Sequence, residues 1–349
     1  MRGAVGRLKN HADGMDHRKL LTISIAAYHV EKYLPECLDS FVLPEYTDEL
    51  EVLVINDGSG EGINQVFSVY GEKYPRIFRL IDKENGGHGS TINTGIREAQ
   101  GKYFKSVDGD DCVYKEGLRA LLEYLKNTQA DMIVTDYETF DDLSGKIQGH
   151  FSGAFPGRKA GQLYDFDEVS GDIFVNMHAV TFRTELLKGM GRFLDEHCFY
   201  VDAQYRLYPI PYIGKTAFLN ANVYRYRLGR ENQSMAIRSM QKNCSQHERV
   251  LEKLLQFYLE EKETLSPAKR AYIQKGIARF AVSQIKIYLS YLPSDKHKQE
   301  IMALDNRVCQ AEREIFLQMK NPAVLLLRKS GYKLYRLLSR VCRGRYHCG

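Results

Sequence analysis

The chain has 349 residues, 44% hydrophobic and 27% charged, and this globular composition without repeats or low-complexity tracts excludes a wholly disordered protein. The net charge of +5 comes from the end of the chain, because residues from Ile315 onward include eight Lys and Arg and no Asp or Glu. The rest of the chain is slightly acidic, which argues against a nucleic acid as partner.

The N-terminus, residues 1–19, is polar and basic without an apolar core, so it does not read as a secretory signal. We expect it to be a disordered extension, and the true start is either Met1 or Met15. No apolar stretch approaches the ~20 residues needed to span a bilayer. The seven cysteines are odd in number and lack C-x-x-C spacing, which argues against zinc or a disulfide framework and predicts a reducing, cytoplasmic location.

Strand and helix patterns alternate over roughly the first 135 residues. Short apolar runs rich in β-branched residues predict strands at 20–27, 51–56, 77–82, 101–107 and 131–135. Between successive runs, apolar residues recur at helical spacing. This order predicts a mainly parallel α/β sheet with helices on both faces, whose ligands bind at the carboxyl ends of the strands.

An acidic turn follows the fourth predicted strand. Asp108, Asp110 and Asp111 lie within four residues, so they repel one another and raise one another's pKa. A divalent cation would remove that conflict, and hard oxygen ligands suit Mg²⁺ or Mn²⁺, which commonly bind substrate phosphates. The turn therefore predicts a metal–diphosphate site, and the alternative interpretation is a solvated acidic loop.

Other polar features also fall at predicted strand ends. Tyr28 follows the first strand and Asp57 the second. A glycine-rich loop at 85–90 follows the third strand and opens a predicted helix at 91–100. Together with the acidic turn, these features predict one binding site at the carboxyl edge of the sheet.

The second half of the chain is less regular. Residues 140–168 are Gly-rich and predict a lid or surface loop, and residues after Cys244 have a helical pattern broken at Pro267 and Pro293. Residues 323–345 mix Leu and Val with Arg and Lys, which predicts a basic amphipathic helix on an anionic membrane surface. The alternatives are a helix packed on the protein's own body and a nucleic-acid tail.

The motifs of the first 115 residues resemble those of the family-2 inverting glycosyltransferases, which have a nucleotide-diphospho-sugar-binding (GT-A) fold. The resemblance covers about residues 20–115 and, more loosely, 170–235. Three positions depart from the family pattern: Ala26 stands where Pro is usual, His29 where Asn is usual, and Val201 precedes Asp202 where the family often has Glu-Asp. The matching stretches are 23–28 with 33–34 and 37–40, 54–59, 85–87 with 93–95, and 101–111.

The resemblance implies a division of the chain. Residues 20–240 would form the GT-A catalytic domain, with a nucleotide-sugar half at 20–135 and an acceptor half at 136–240. A helical region would follow at 241–322, and the basic amphipathic tail would occupy 323–349.

The resemblance also implies roles for the residues at the strand ends. Tyr28, next to Ala27, would stack on the nucleotide base. Asp57 would accept a hydrogen bond from a uracil-type ring, or would simply form an Asx turn. The loop with Asn85 and Gly86 would offer backbone N–H groups to the donor, unless it is a plain loop. His88 would either contact the donor or cap the turn.

Catalytic roles follow in the same way. Asp110 would be the first metal ligand, and Asp108 and Asp111 would support it or bind the donor sugar. Asp202 would be the general base, because its aromatic neighbours in sequence could raise its pKa toward neutral. Asp195 and Glu196 are rival bases. The arginines 225, 227 and 230 would either contact the diphosphate or be solvated.

The function implied is metal-assisted transfer of one sugar, with inversion, from a UDP-sugar to a glycan or lipid-linked acceptor in cell-surface polysaccharide synthesis. The enzyme would act in the cytoplasm or at the inner face of the plasma membrane. A non-catalytic nucleotide-sugar sensor or scaffold remains an alternative, because Val201–Asp202 departs from the family pattern. A nucleotidyltransferase would need a basic, Gly-rich loop near the first strand, which residues 26–31 do not provide.

Overall fold

A computed structural model describes residues 19–152, 157–230, 233 and 236–345. The predicted disordered extension therefore lies outside the described residues, apart from Lys19, which begins the first strand. Within the described residues, the strands are β1 (Lys19–Ala27), β2 (Leu50–Asp57), β3 (Phe78–Lys83), β4 (Gly101–Asp108), β5 (Cys112–Val113), β6 (Met132–Asp141), β7 (Ile147–Phe151), β8 (Leu163–Asp165), β9 (Val180–Arg183) and β10 (Lys215–Leu228).

Helices follow most of the strands and make up nearly all of the last third of the described chain. They are α1 (Leu34–Ser40), α2 (Glu61–Lys73), α3 (Gly87–Glu98), α4 (Lys115–Asn127), α5 (Phe166–Val169), α6 (Thr184–Gly189), α7 (Asp202–Leu207), α8 (Ile237–Lys242), α9 (Cys244–Glu261), α10 (Pro267–Ser290), α11 (Asp295–Ala311), α12 (Arg313–Gln318), α13 (Pro322–Lys329) and α14 (Tyr335–Arg345).

One mixed sheet contains all these strands, in the order β3-β2-β1-β4-β9-β6-β10-β5, with β7 paired to β6 and β8 paired to β10. Strands β1 to β4 pair in parallel, and β1 lies between β2 and β4. Its Leu21, Ile23 and Ile25 are fully buried, as expected for a strand covered on both faces. The α/β fold with a flanked, largely parallel sheet and a C-terminal helical region is thus confirmed.

The pattern of residues did not predict β5, β7, β8, β9 or β10. Among these, β9 connects the two parts of the sheet. It lies antiparallel between β4 and β6, with Phe182 beside Phe104 and Met132. Strand β6 therefore points the same way as β4 without touching it. The stretch 140–168, predicted to be irregular, instead contains the end of β6, strands β7 and β8 and the start of α5. Strands β7 and β8 lie at the margins of the sheet, paired to β6 and β10. The sequence did not reveal them because backbone hydrogen bonds form without an apolar repeat.

The C-terminal helices pack around α10, whose Ile273, Ile277 and Ile285 are fully buried. Pro267 occupies the first turn of α10, where a missing N–H costs nothing, and the Ser266 side chain caps the helix. Within the described residues, no helix has the length and apolar character that crossing a membrane requires.

The basic tail differs from the predicted single helix. Helices α13 and α14 are separated by a turn in which Gly331 and Tyr332 have positive φ. One side of each helix packs on the protein's own body, so Val324, Leu327 and Tyr335 are buried. The inner face of the tail is therefore packed on the protein's own body, which was one of the alternatives to a membrane-bound helix.

Candidate active site

A cavity of about 480 Å³ opens at the carboxyl edge of the parallel strands. Most of the predicted site residues line it, namely Ala27, Tyr28, Asp57, Asn85, His88, Asp108 and Asp110. Gly86, Asp111 and Asp202 are outside its lining. The other residues of the wall include His197, Cys198 and Phe199 from the loop before α7, Tyr226 and Arg230 from the end of β10, and Gln246 from α9.

Asp57 holds the glycine-rich loop in place. Its carboxylate is almost fully buried and accepts hydrogen bonds from the backbone N–H groups of Gly86 at 2.9 Å and Gly87 at 2.8 Å. Lys83 donates a third bond, at 2.6 Å. Gly87 has a φ of +79°, which favours glycine. Asp57 therefore acts first as a clamp on this loop, and its predicted contact with a nucleotide base stays a prediction.

The glycine-rich loop is shorter than predicted, because α3 begins at Gly87. His88 and Gly89 thus belong to the first helical turn. A side chain at Gly89 would collide with the backbone oxygen of Asp195, so glycine permits the close approach of the loop before α7. The N-terminal end of α3 is the part of the helix that faces the cavity, and its Gly87 N–H is already bonded to Asp57.

His88 is paired with the first carboxylate of the acidic turn. Its Nε2 atom lies 3.0 Å from Oδ1 of Asp108. Burial by itself would lower the pKa of His88, but the attraction of Asp108 outweighs burial and the pKa is raised. For the same reason the pKa of Asp108 is lowered although burial acts in the opposite direction. The His88 imidazole, paired with Asp108, therefore lies at the cavity wall with its protonated form favoured.

The other two carboxylates of the turn have different surroundings. Asp111 is fully buried, and its carboxylate accepts hydrogen bonds from the Tyr224 hydroxyl at 2.6 Å and the Arg227 N–H at 2.7 Å. Asp110 faces the cavity and forms an ion pair with Arg230. Burial and the neighbouring carboxylates raise the pKa of both Asp110 and Asp111. Asp111 thus ties the turn to β10, whereas Asp110 is directed toward ligands.

We expect Asp111→Ala to lower the free energy of unfolding by about 2–4 kcal/mol, because the buried Tyr224 hydroxyl and Arg227 N–H would both lose their acceptor. Urea unfolding monitored by circular dichroism measures this change. Asp110→Ala is the matched control and should lose less stability, since Asp110 lies at the cavity wall. Equal losses in the two variants would contradict the anchoring role of Asp111.

The structure adds two residues to the site that the sequence pattern did not single out. His178 stacks on Tyr226 with ring centroids 4.3 Å apart, and burial lowers its pKa to about 4. Its ring, Asp108 and Asp111 offer ligand atoms within 4.8 Å of one another. Lys105 is fully buried beneath them and donates to the backbone oxygens of His178 at 2.6 Å and Val180 at 3.2 Å.

These contacts give Lys105 the role of joining β4 to the segment that carries His178. Burial lowers the pKa of Lys105 to about 7, because it destabilises the protonated amine. The sequence feature that could have identified Lys105 as a functional position is a lysine within the apolar run of β4. His178 had no such signal, because its neighbours in the site come from β4 and β10.

The candidate bases lie in and after the loop that precedes α7. Asp202 begins α7, its carboxylate is 41% exposed, and its nearest cation is Arg206 at 3.6 Å. Burial raises the pKa of Asp202, while Arg206 and His88 oppose that rise. Asp195 is paired with Arg249 at 3.4 Å, and Glu196 accepts a hydrogen bond from Asn93. The two rivals are thus engaged in holding the loop.

The three arginines proposed from the sequence have different surroundings. Arg227 is buried, with Nη1 2.9 Å from the Asp142 carboxylate and Nε 2.7 Å from the Asp110 backbone oxygen. Arg225 lies over the rings of Tyr114 and Phe140, outside the cavity lining. Among the described residues of β10 and the turn after it, Arg230 is the arginine that lines the cavity. It is therefore the one placed to contact an anionic ligand.

Residues 22–186 match the sequence model of a family described as "Glycosyl transferase family 2". Over 204 residues the chain is 28% identical to glycosyltransferase GlyA of Streptococcus pneumoniae serotype 4, an alignment that covers 58% of this chain and 28% of that protein. The chain therefore spans less than a third of the length of this relative.

Solved structures share the fold over nearly the whole chain. TarS of S. aureus (residues 1–349), in complex with UDP-GlcNAc, superposes with a TM-score of 0.65 at 18% identity and covers 93% of this chain and 92% of that chain. The mannosyltransferase PcManGT of Pyrobaculum calidifontis, in complex with GDP-Man and Mn²⁺, gives a TM-score of 0.50 at 13% identity, with coverages of 94% and 88%. At these identities the likeness concerns the fold.

Proposed function

We infer that the chain belongs to glycosyl transferase family 2, whose sequence model matches residues 22–186, and we propose that it moves one sugar from a nucleotide-diphospho-sugar to a hydroxyl group of a glycan or lipid-linked glycan, with inversion at the anomeric carbon. The observation that carries the proposal is the cavity itself. It brings together an exposed aromatic residue, a helix N-terminus, an acidic turn and an arginine paired with that turn, from four separate segments. Cell-surface polysaccharide synthesis is the process we propose for it.

The donor would lie along the carboxyl edge of the sheet. Tyr28 is 50% exposed at the cavity wall and offers an aromatic face to a nucleotide base. The N–H groups at the start of α3 and the guanidinium of Arg230 suit the diphosphate. We propose a UDP-sugar, because Asp57 and Asn85 at the same end of the cavity supply hydrogen-bond acceptors for a uracil N–H.

Inversion needs one direct displacement at the anomeric carbon. Asp202 would accept the proton of the acceptor hydroxyl as that oxygen attacks. Its pKa is raised by burial, which makes the carboxylate a stronger base than a solvated one. The rival carboxylates are less suited to act as the base, because Arg249 pairs with Asp195 and Asn93 donates a hydrogen bond to Glu196.

The residues of the acidic turn fit a divalent cation. Carboxylate oxygens suit Mg²⁺ and Mn²⁺, and the low pKa of His178 keeps its imidazole neutral, which is the form that ligates metals. We propose that Asp108, Asp110 and His178 hold the ion. Asp108 and His178 belong to the group of ligand atoms within 4.8 Å of one another that also includes Asp111, and Asp110 is added because it lines the cavity, whereas Tyr224 and Arg227 anchor Asp111. When bound, the ion would stabilise negative charge on the leaving diphosphate.

The test is donor binding and hydrolysis across a panel of nucleotide-sugars, each with Mn²⁺, with Mg²⁺ and with chelator. We expect one donor to bind in a metal-dependent way and to be hydrolysed slowly without acceptor. Absence of binding by every donor would overturn the proposal. Binding without turnover, even with glycan acceptors added, would instead favour a nucleotide-sugar sensor on the same fold.

The outer face of the tail is suited to an anionic lipid surface. Leu325, Leu326, Leu337 and Val341 are between 38% and 56% exposed although α13 and α14 pack on the body. Lysines and arginines alternate with them along the sequence, and no Asp or Glu occurs in residues 315–349. Apolar side chains within a field of cations are typical of peripheral membrane helices. We propose that this face holds the enzyme beside a lipid-linked acceptor.

We expect the double variant Leu337→Glu with Val341→Glu to reduce affinity for vesicles containing phosphatidylserine by about tenfold or more, because each change removes apolar contact and adds a repelling charge. Vesicle co-sedimentation at low and high salt measures the effect. Val69→Glu is the control, since Val69 is 65% exposed on α2, away from the tail. Unchanged vesicle binding by the double variant would remove the membrane role.

A further inference from the structure

One wall of the cavity comes from outside the family-matched region. The loop of His197, Cys198 and Phe199 forms this wall together with Gln246 of α9. The Phe199 side chain is 45% exposed, although its neighbours Cys198 and Tyr200 are buried. An aromatic ring held at the mouth of a polar cavity presents a flat apolar surface to whatever enters.

This loop is fixed from both sides. The His197 N–H donates to the Gly86 oxygen at 2.5 Å, which joins the loop to the glycine-rich segment. On the other side, the Phe199 N–H donates to Oε1 of Gln246 at 2.9 Å, and Arg249 donates to the Glu196 oxygen at 2.7 Å. The backbone that carries the Phe199 ring is thus held by α9.

The backbone of the loop is strained. His197 and Tyr200, on either side of Cys198–Phe199, have φ values of +49° and +68°. Bulky residues rarely adopt this left-handed region, and such outliers persist where surrounding contacts enforce them, commonly at ligand sites. The strain therefore coincides with the segment that carries the exposed ring.

We propose that Phe199 and Gln246 form the subsite for the acceptor sugar. The apolar face of a pyranose ring packs on the Phe199 ring, and the Nε2 group of Gln246, whose Oε1 already accepts from the loop, donates to a sugar hydroxyl. Asp202 follows Phe199 by three residues, so the same short segment carries both the platform and the proposed base. This inference rests on the proposed function and names the residues that select the acceptor.

The experiment measures binding of the methyl glycosides of glucose, galactose, mannose and N-acetylglucosamine to the full chain saturated with UDP, by saturation-transfer NMR. We expect at least one to bind, and Phe199→Ala to weaken it about tenfold or more. Phe193→Ala is the matched control, since Phe193 is 73% exposed but lines a separate cavity. Gln246→Glu, which keeps an acceptor for the Phe199 N–H, should also weaken glycoside binding.

Donor affinity separates this inference from the proposed function. Each variant should bind the UDP-sugar with the affinity of the wild type, and a wild type without any donor binding would count against the proposed function instead. Weaker donor binding by Phe199→Ala would place the ring at the donor sugar and overturn the inference. Equal glycoside binding by Phe199→Ala, or none by the wild type, would overturn it too. If Phe199→Ala does not fold, Phe199→Leu replaces it in the binding measurement, because leucine keeps the apolar bulk but removes the aromatic ring.

Discussion

Asp202→Asn should lower the rate of sugar transfer by about three orders of magnitude while leaving donor affinity near that of the wild type. An amide cannot accept the proton of the attacking hydroxyl, so the variant loses general-base catalysis. It keeps the shape of the side chain and the start of α7. Single-turnover kinetics with saturating donor would separate this loss from any change in binding.

The pH profile gives the same prediction a second readout. Burial raises the pKa of Asp202 above its ordinary value, and the base works only when ionised. We therefore expect kcat/KM of the wild type to fall at acidic pH, with a midpoint above that of a solvated carboxylate. In the Asn variant this acidic limb should disappear.

Asp195→Asn is the matched control for Asp202. Asp195 lies on the same loop but is paired with Arg249 and lines a separate cavity. It should keep transfer within a few fold of the wild type. A large loss in the Asp195 variant, together with nearly normal transfer by Asp202→Asn, would reassign the base.

Asp110→Asn should make donor binding insensitive to metal and chelator, and should lower turnover about a hundredfold or more. The reason is that Asp110 is the carboxylate of the turn that both lines the cavity and is ion-paired with an arginine rather than locked by backbone N–H groups. Titration calorimetry with UDP, with and without Mn²⁺, would measure the loss of metal dependence.

Asp142→Asn provides the comparison for Asp110. Asp142 is another largely buried carboxylate close to the turn, but it pairs with Arg227 and is outside the cavity lining. Its variant should retain metal-dependent binding. If Asp110→Asn still binds donor in a metal-dependent way and Asp111→Asn does not, then Asp111 is the metal ligand. Its assignment as a purely structural anchor would then be wrong.

The five strands predicted from apolar runs are all present, because burial on both faces leaves a signal in consecutive residues. Strand β9 escaped prediction since four residues are too few to establish a period. The tail was predicted as one helix because periodicity passes through Ser330–Lys333, where the backbone in fact turns. Local patterns thus found the strands of the parallel half, but missed short strands, breaks and the 14-residue β10, whose polar residues interrupt its apolar run.

The order of strands was enough to predict that Tyr28, Asp57, the glycine-rich loop and the acidic turn meet at one edge, because parallel strands place their carboxyl ends together. It could not assign different roles to Asp110 and Asp111, which are adjacent and chemically identical. Contacts between distant segments distinguish them, because Tyr224 and the Arg227 N–H bind Asp111 whereas Asp110 lines the cavity. His178 and Gln246 joined the site in the same way, because side-chain partners depend on distance in space rather than on spacing along the chain.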